Sequence, residues 1–200
     1  MSSVPKEAGK SSFDLIDQQR LFEVLPASGV DFVLDFGCGV GNYLFALADY
    51  YSDARKLVGV DLWEEGINIL NRRARELGLP RVKGVKSSGL DLGFIAEAQV
   101  DLVLMATVLH DLAERSEEEA ALKEISRILH HGGTLAVVEF KKVEAKRGPP
   151  ISIRISESEL PAMVKPFGFA ENNTADIGPH CYISTFTRDG NQRMERKKAY

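Results

Sequence analysis

The sequence predicts an α/β protein with a doubly wound, mostly parallel sheet, and two observations lead to this prediction. From residue 30 to about residue 140, short apolar runs that suit buried strands alternate with longer segments whose apolar residues recur at helical spacing. After residue 140, two β-like runs stand close together, which is typical of an antiparallel hairpin. We therefore expect helices on both faces of one sheet, with an antiparallel pair at its end.

Boundary signals place each element. The first strand, 30–36, runs into a glycine cluster, and Tyr43, Leu44 and Leu47 then recur on one face of a helix. The helix predicted over 64–77 is ended by a following glycine and proline. The same alternation predicts strands at 56–60, 81–85, 100–109 and 134–140, a helix at 117–129, and a Gly-Gly turn at 132–133.

The two ends of the chain differ from this core. Residues 13–25 show an imperfect one-faced helical pattern, which makes them a candidate lid helix. The preceding residues are small and polar, and we expect them to be poorly ordered. After a charged connector at 141–150, the sequence predicts a short helix at 157–165 and hairpin strands at 170–176 and 181–188.

We predict three segments: an N-terminal tail and lid helix (1–29), one domain (30–188), and a basic flexible tail (189–200). The 200 residues are 44% hydrophobic and 27% charged, which excludes collagen-like, disulfide-scaffold and wholly disordered proteins. The net charge of −4 disfavours nucleic acid and anionic membranes as partners.

Cysteine usage and hydropathy indicate the compartment. Cys38 and Cys181 are far apart and form no CxxC pair, so neither a metal site nor a disulfide framework is indicated. The first residues lack the apolar segment of a secretory leader, and no stretch reaches the roughly 18 apolar residues of a membrane span. We therefore expect a cytoplasmic protein.

The most informative segment, 33–43, reads Val-Leu-Asp-Phe-Gly-Cys-Gly-Val-Gly-Asn-Tyr and joins the first strand to the first helix. Glycines there allow positive φ and a close approach of the backbone to a ligand. Asp61, twenty residues beyond Gly41, ends the second strand, where a carboxylate can accept hydrogen bonds from both hydroxyls of a ribose. The pair predicts a cofactor that contains adenosine.

Two details disfavour a dinucleotide. Its fingerprint has glycine at the first, third and sixth positions, whereas the sixth position counted from Gly37 is Asn42. Asp35 also places a negative charge at the turn, which would repel a pyrophosphate and attract a cation. An NAD-dependent oxidoreductase is therefore a weaker interpretation.

At these residues the sequence resembles the class I S-adenosylmethionine (SAM) methyltransferases, most closely the type 11 members similar to ubiquinone/menaquinone C-methyltransferases. Residues 33–41 resemble their first motif, 58–61 their acidic ribose site, 101–110 their fourth strand, and 122–135 the helix and Gly-Gly turn before the fifth strand. The resemblance spans 30–188. It implies a Rossmann-like, seven-stranded sheet whose last strand is antiparallel, and SAM as the cofactor.

The resemblance also implies which residues surround that cofactor. Asp35 would serve the methionine amino end, Asp61 would hold the ribose, and Leu62 would lie against the adenine. Serines 87 and 88 stand where relatives often have Gly-Asp-Ala, so a serine hydroxyl or the backbone would replace an acidic contact to the adenine. The implied cofactor-binding set is Asp35, Gly37, Cys38, Gly39, Asp61, Leu62, Ser87, Ser88, Met105 and Ala106.

His110 follows the fourth strand at the carboxyl end of the sheet. Its imidazole could take a proton from a hydroxyl or an acidic carbon of the acceptor, or could only shape the pocket. Glu139 and Lys141 leave the fifth strand at the same edge, with a solvated charged loop as the alternative; together with Tyr43 they are the candidate acceptor contacts. Residues that could cover the site are Tyr43, Phe13 and Phe22.

These residues predict transfer of a methyl group from SAM to a small-molecule acceptor, at oxygen or carbon, by a monomer or homodimer. Alignment of the reactants can supply roughly 7–11 kcal/mol in favourable cases, so the lack of an obvious catalytic dyad does not argue against an enzyme. A protein or RNA methyltransferase and a non-catalytic SAM-binding module are the alternatives.

Overall fold

The computed structural model describes Gly9 and residues 11–189. These residues form one seven-stranded sheet in the order β3-β2-β1-β4-β5-β7-β6. Strands β1 to β5 are joined by parallel pairs, and β7 runs antiparallel to both β5 and β6. The predicted fold class is therefore confirmed. The strands are β1 (Phe32–Phe36), β2 (Lys56–Asp61), β3 (Val82–Lys86), β4 (Val100–Ala106), β5 (Leu129–Phe140), β6 (Phe169–Asp176) and β7 (Cys181–Arg188).

Helices cover both faces of the sheet and separate two hydrophobic clusters. Successive residues of β1 point to opposite faces: Val33 joins one cluster and Leu34 the other, and both are fully buried. The α-helices of the described residues are α1 (Gln18–Val24), α2 (Asn42–Tyr50), α3 (Glu64–Glu76), α4 (Leu109–Glu114), α5 (Glu118–Ile128) and α6 (Leu160–Val164). None of them is long and apolar enough to cross a bilayer.

The candidate lid helix is divided in two. A 3₁₀ turn at Phe13–Leu15 ends at Ile16, which is extended, and α1 begins beyond it. Asp17 causes the restart: its carboxylate caps α1 by accepting the N–H groups of Gln19 and Arg20. The Asp17 N–H donates to Ile177 O at 2.7 Å, which fixes the segment to the β6–β7 connection.

The predicted Gly-Gly turn is also wrong in its form, because β5 begins at Leu129 and continues through both glycines. Gly132 has a φ of +85°, and the β4–β5 register shifts between Val100 and Leu102. The glycines thus form an irregularity within a longer strand.

Beyond β6 and β7, the predicted basic tail lies outside the described residues apart from Asp189.

The fourth strand ends earlier than predicted, at Ala106. Thr107 has a φ of +56°, a conformation that a β-branched residue rarely adopts, and α4 starts two residues later. This six-residue helix carries His110 and is absent from the sequence-based prediction. Because β1 and β4 are neighbours whose crossovers lead to opposite sides of the sheet, their carboxyl ends open the crevice in which such sheets bind ligands.

Candidate active site

The glycine turn after β1 presents its backbone toward open space at one position. A Cβ on Gly37 would lie 2.9 Å from Val108 Cγ2, and a Cβ on Gly41 would lie 2.9 Å from Leu70 Cγ, so both glycines are required by packing. At Gly39, also at positive φ, a Cβ would meet no atom within 4 Å. The chain therefore leaves room for a ligand against the Gly39 backbone.

Asp61 at the end of β2 closes this turn. Its Oδ2 accepts the Gly39 N–H at 2.8 Å, and its Oδ1 accepts the Trp63 N–H at 2.8 Å. An ionised carboxylate offers about four lone-pair positions, so each oxygen can still accept a ligand hydroxyl. The predicted ribose carboxylate thus lies directly beside the open position of the turn.

Asp35, at the carboxyl half of β1, is 1% exposed, and its Oδ2 has no hydrogen-bond partner among the described residues. Burial and the nearby charge of Asp61 raise the pKa of Asp35 to about 8, although a backbone hydrogen bond from Leu44 opposes the shift. A buried carboxyl oxygen without a partner is unfavourable. A cation brought against it would supply the missing partner, so the residues around the turn fit the ammonium and ribose groups of SAM.

Around the predicted adenine position, Leu62 is half exposed, whereas the neighbouring Trp63 is partly covered and packs over Gly66. Gly9 lies against the same indole: its Cβ position is 3.5 Å from Trp63 Cη2. Ser87 and Ser88 use their hydroxyls to accept loop N–H groups, at 3.0 and 3.3 Å. Their contact with adenine, like that of Leu62, stays a prediction.

Three further residues predicted to contact the cofactor are buried: Cys38, Met105 and Ala106. A Cβ on Gly59 would lie 2.6 Å from Cys38 Sγ, so the cysteine is a small residue packed into a crowded turn. Burial raises the pKa of its thiol well above the ordinary range. Met105 is fully buried and Ala106 is nearly so, at the carboxyl end of β4.

A cluster of three hydroxyl groups lies where the N-terminal segment crosses the carboxyl ends of the strands. Ser12 Oγ lies 2.9 Å from Tyr43 OH and 3.0 Å from Thr107 Oγ1. The Phe13 ring packs edge-on against Tyr43, with 4.9 Å between centroids. Phe22, by contrast, stacks on Tyr50 at the far end of α2, so it does not cover the turn.

Glu139 and His110 form a buried pair. His110 Nδ1 lies 3.0 and 2.8 Å from the two carboxylate oxygens of Glu139, and both residues are almost completely inaccessible. Glu139 therefore lies inside β5 and binds His110, whereas the sequence predicts an acceptor contact or a solvated loop at this position. This pairing is the main difference between the predicted and the observed site.

Lys141 is directed to the β6–β7 hairpin. Its Nζ pairs with Asp176 Oδ1 at 2.7 Å and donates to Gly178 O at 3.2 Å. The loop that follows β5 is held by Arg154, a buried guanidinium whose hydrogen bonds reach four backbone carbonyls within 141–149. Contact of Lys141 with an acceptor stays a prediction.

Sequence reasoning missed three residues of this region: Ser12, Trp63 and Thr107. Ser12 belongs to a polar segment expected to be poorly ordered, and the backbone strain at Thr107 has no sequence signal. Trp63 could have been found, because it is the one tryptophan of the chain and comes two residues after Asp61.

Comparison with known proteins places this arrangement in a family. The chain matches the model of a methyltransferase domain over residues 33–133, which is half of its length. It belongs to this methyltransferase domain family. The match covers the glycine turn, Asp61 and His110, and with it the predicted resemblance is confirmed.

Individual relatives share limited sequence identity with this chain. It is 32% identical over 136 residues to the ubiquinone/menaquinone biosynthesis C-methyltransferase of Syntrophotalea carbinolica, covering 66% of this chain and 54% of that protein. It is 26% identical over 107 residues to a demethylmenaquinone methyltransferase of Lactococcus lactis, covering 54% of this chain and 41% of that protein. The chain thus spans about half the length of these curated relatives.

A solved structure matches over a larger share of the chain. The crystal structure of a SAM-dependent methyltransferase from Aquifex aeolicus aligns with a TM-score of 0.79 at 27% identity, covering 92% of this chain and 95% of that one. The likeness extends well beyond the family match, because the aligned share is 92% of this chain and the family model covers half of it.

Proposed function

We propose that this chain transfers the methyl group of SAM to a small-molecule acceptor, at oxygen or carbon. The observation that supports this most is the turn after β1. An open backbone position at Gly39 lies beside the Asp61 carboxylate, and β1 carries the buried Asp35, whose Oδ2 has no hydrogen-bond partner among the described residues. Similarity to proteins named as quinone C-methyltransferases supports a small acceptor with a hydroxylated ring.

Each residue has a distinct task toward the cofactor. Asp61 accepts the ribose hydroxyls, Asp35 balances the positive charge of the methionine end, and Gly39 allows the close approach of the backbone. Bound SAM supplies an activated methyl group on a sulfonium whose leaving group is neutral. The protein therefore has mainly to orient the reactants and exclude water, which can supply roughly 7–11 kcal/mol.

The segment that carries the hydroxyl cluster is suited to that exclusion. Ser12 is 4% exposed and bridges α2 to the end of β4 through its two hydroxyl contacts. We place the acceptor at the carboxyl end of β4, which Thr107 and His110 follow in the chain. His110 is the residue of this group whose imidazole can act as a proton acceptor.

Thermal unfolding with S-adenosylhomocysteine, and with NAD as the comparison, tests the cofactor. At a hundredfold excess over its dissociation constant, a ligand adds about 2.7 kcal/mol. For a chain of this size the unfolding midpoint should rise by about 5–10 °C. A rise with NAD alone, or with neither ligand, would contradict the proposal.

Transfer of labelled methyl from SAM tests the acceptor class. We expect label to enter reduced 1,4-naphthoquinone or catechol, and not RNA or a protein extract. Label in RNA or protein would contradict a small-molecule acceptor and favour a protein or RNA methyltransferase. Binding of S-adenosylhomocysteine without transfer to any of these would favour a SAM-binding module that lacks catalysis.

A further inference from the structure

The carboxylate of Glu139 is surrounded by two backbone N–H groups and one ring nitrogen. The backbone N–H of His110 donates to Oε1 at 3.1 Å, and the backbone N–H of Phe140 donates to Oε2 at 3.2 Å. The third group is the ring Nδ1 of His110, at 3.0 and 2.8 Å from the two oxygens. The two backbone donors hold the carboxylate in place independently of the imidazole.

This environment determines where the imidazole carries its proton. An ionised carboxylate has only acceptors, and its partner at hydrogen-bond distance must therefore be a donor. In the neutral imidazole, Nδ1 then carries the hydrogen and Nε2 carries the lone pair. Asp111 is a second carboxylate beside the ring, with its Oδ1 at 3.6 Å from Nε2.

The pair stands at the place where an acceptor would be bound. His110 is on the first turn of α4, three residues after Thr107, and Glu139 is the penultimate residue of β5. Both lie at the carboxyl edge of the sheet, as do Asp35 and Asp61. Fully burying a hydrogen-bonded imidazole and carboxylate is expensive, and a purely structural contact could be made by apolar residues at lower cost.

We infer that Glu139 is a positioning residue that holds His110 with its proton on Nδ1, so that Nε2 accepts a proton from the acceptor. The functional half of this inference rests on the proposed methyl transfer. It narrows the acceptor to a phenol, quinol or enol, whose oxygen or ring carbon becomes nucleophilic on deprotonation. The acceptor O–H bond breaks, its electron pair stays on oxygen, and the proton forms a bond to Nε2.

Long-range ¹H–¹⁵N NMR on protein labelled at its four histidines tests the tautomer without any acceptor. The signals of His110 are identified by their loss in His110→Asn. At pH 9 we expect the pattern of a neutral ring with hydrogen on Nδ1. A hydrogen on Nε2, or a doubly protonated ring that persists at pH 9, would overturn the inference.

Two substitutions of Glu139 test its role. Glu139→Met removes every acceptor and should move the ring hydrogen toward Nε2; an unchanged Nδ1 pattern would contradict the positioning role. If Glu139→Met fails to fold, Glu139→Gln keeps one acceptor oxygen but removes the charge that stabilises the protonated ring. It should lower kcat for a phenolic acceptor by about ten- to a hundredfold, with KM nearly unchanged.

Controls separate this inference from the proposed function. Glu144→Gln changes an exposed glutamate of the loop after β5 and should alter neither the tautomer nor kcat. An unchanged kcat in Glu139→Gln would overturn the inference while methyl transfer stands. Conversely, if the wild-type chain fails to bind S-adenosylhomocysteine, the proposed function fails whatever the tautomer of His110.

Discussion

Ser12 Oγ lies 3.0 Å from Thr107 Oγ1, and this contact joins two residues that are 95 positions apart in the sequence. It fixes the N-terminal segment to the end of β4, where Thr107 has a backbone conformation unfavourable for a β-branched residue. Tyr43 OH completes the cluster at 2.9 Å from Ser12. We therefore expect the segment to close over the crevice, held by these hydrogen bonds to α2 and to the end of β4.

Tyr43→Phe tests this closure. The variant keeps the edge-on contact with Phe13 and loses only the hydroxyl, so we expect faster dissociation of S-adenosylhomocysteine in stopped-flow measurements. Loss of one neutral hydrogen bond should lower the free energy of unfolding by about 1 kcal/mol. Tyr50→Phe removes a hydroxyl that bonds Phe22 O at 3.3 Å away from the turn, and it should leave the dissociation rate unchanged. Equal rates in the two variants would contradict a closing role for Ser12.

Asp61→Ala tests the ribose contact. Hydrogen bonds to charged groups contribute about 1.5–3 kcal/mol, so calorimetry should show roughly ten- to hundredfold weaker binding of S-adenosylhomocysteine. Part of the loss would come from the Gly39 N–H, which loses its acceptor. Glu64→Gln is the matched control, because Glu64 is exposed and pairs with Lys86 on the surface. Unchanged affinity in Asp61→Ala would remove the central assignment of the site.

The sequence predicts the parts of the site that depend on local structure. Gly37, Gly39 and Asp61 are found where a strand, a tight turn and a helix follow one another, and each such transition leaves a signal within a few residues. The six-residue α4 was missed because it is shorter than the window in which helical periodicity can be recognised.

Contacts between distant segments could not be predicted in the same way. The pairing of His110 with Glu139 depends on the parallel register of β4 and β5, in which Ala106 lies opposite Val138. A shift of that register by one residue would turn Glu139 to the other face of the sheet. The position of Ser12 depends in turn on the Asp17–Ile177 hydrogen bond, which no local pattern indicates.

The raised pKa of Asp35 predicts that the free energy of unfolding falls as the pH rises from 4 to 8. Its pKa is about 8 in the folded chain, against 3.8 for the unperturbed side chain, so the folded state holds its proton more tightly than the unfolded state. Ionising this buried carboxyl in the folded state is unfavourable, so the stability of the chain is undiminished below about pH 4 and falls as the pH rises toward 8. Asp35→Asn should therefore be more stable than wild type at pH 8, with little difference at pH 4.

Denaturant unfolding of the ligand-free chain at several pH values measures this effect. Glu124→Gln is a useful comparison, because a hydrogen bond from Arg127 lowers the pKa of Glu124 and the expected pH dependence has the opposite sign. If Asp35→Asn and wild type showed parallel stability curves between pH 4 and 8, the buried carboxyl would not be protonated as described.

The hydrogen bonds of Arg154 lead to a prediction about the stability of the loop between β5 and α6. Its buried guanidinium donates to the carbonyls of Lys141, Val143, Arg147 and Pro149, so one side chain holds the loop together. Arg154→Met keeps an unbranched apolar side chain but removes every donor, and with them the guanidinium that lies over the Phe140 ring. We expect a loss of about 3 kcal/mol and a fall in the unfolding midpoint of about 6–10 °C.

Limited proteolysis locates that effect. Cleavage of Arg154→Met should become fast within 141–153 while the rest of the chain stays resistant, because the carbonyls lose their common donor. Arg55→Met is the matched control: Arg55 is 85% exposed and pairs with Asp31 at the surface, where an ion pair contributes little. A similar fall of the midpoint in both variants, or unchanged cleavage of the loop, would show that Arg154 does not organise it. If the loop borders the acceptor, Arg154→Met should also raise KM for the acceptor while S-adenosylhomocysteine binds as before.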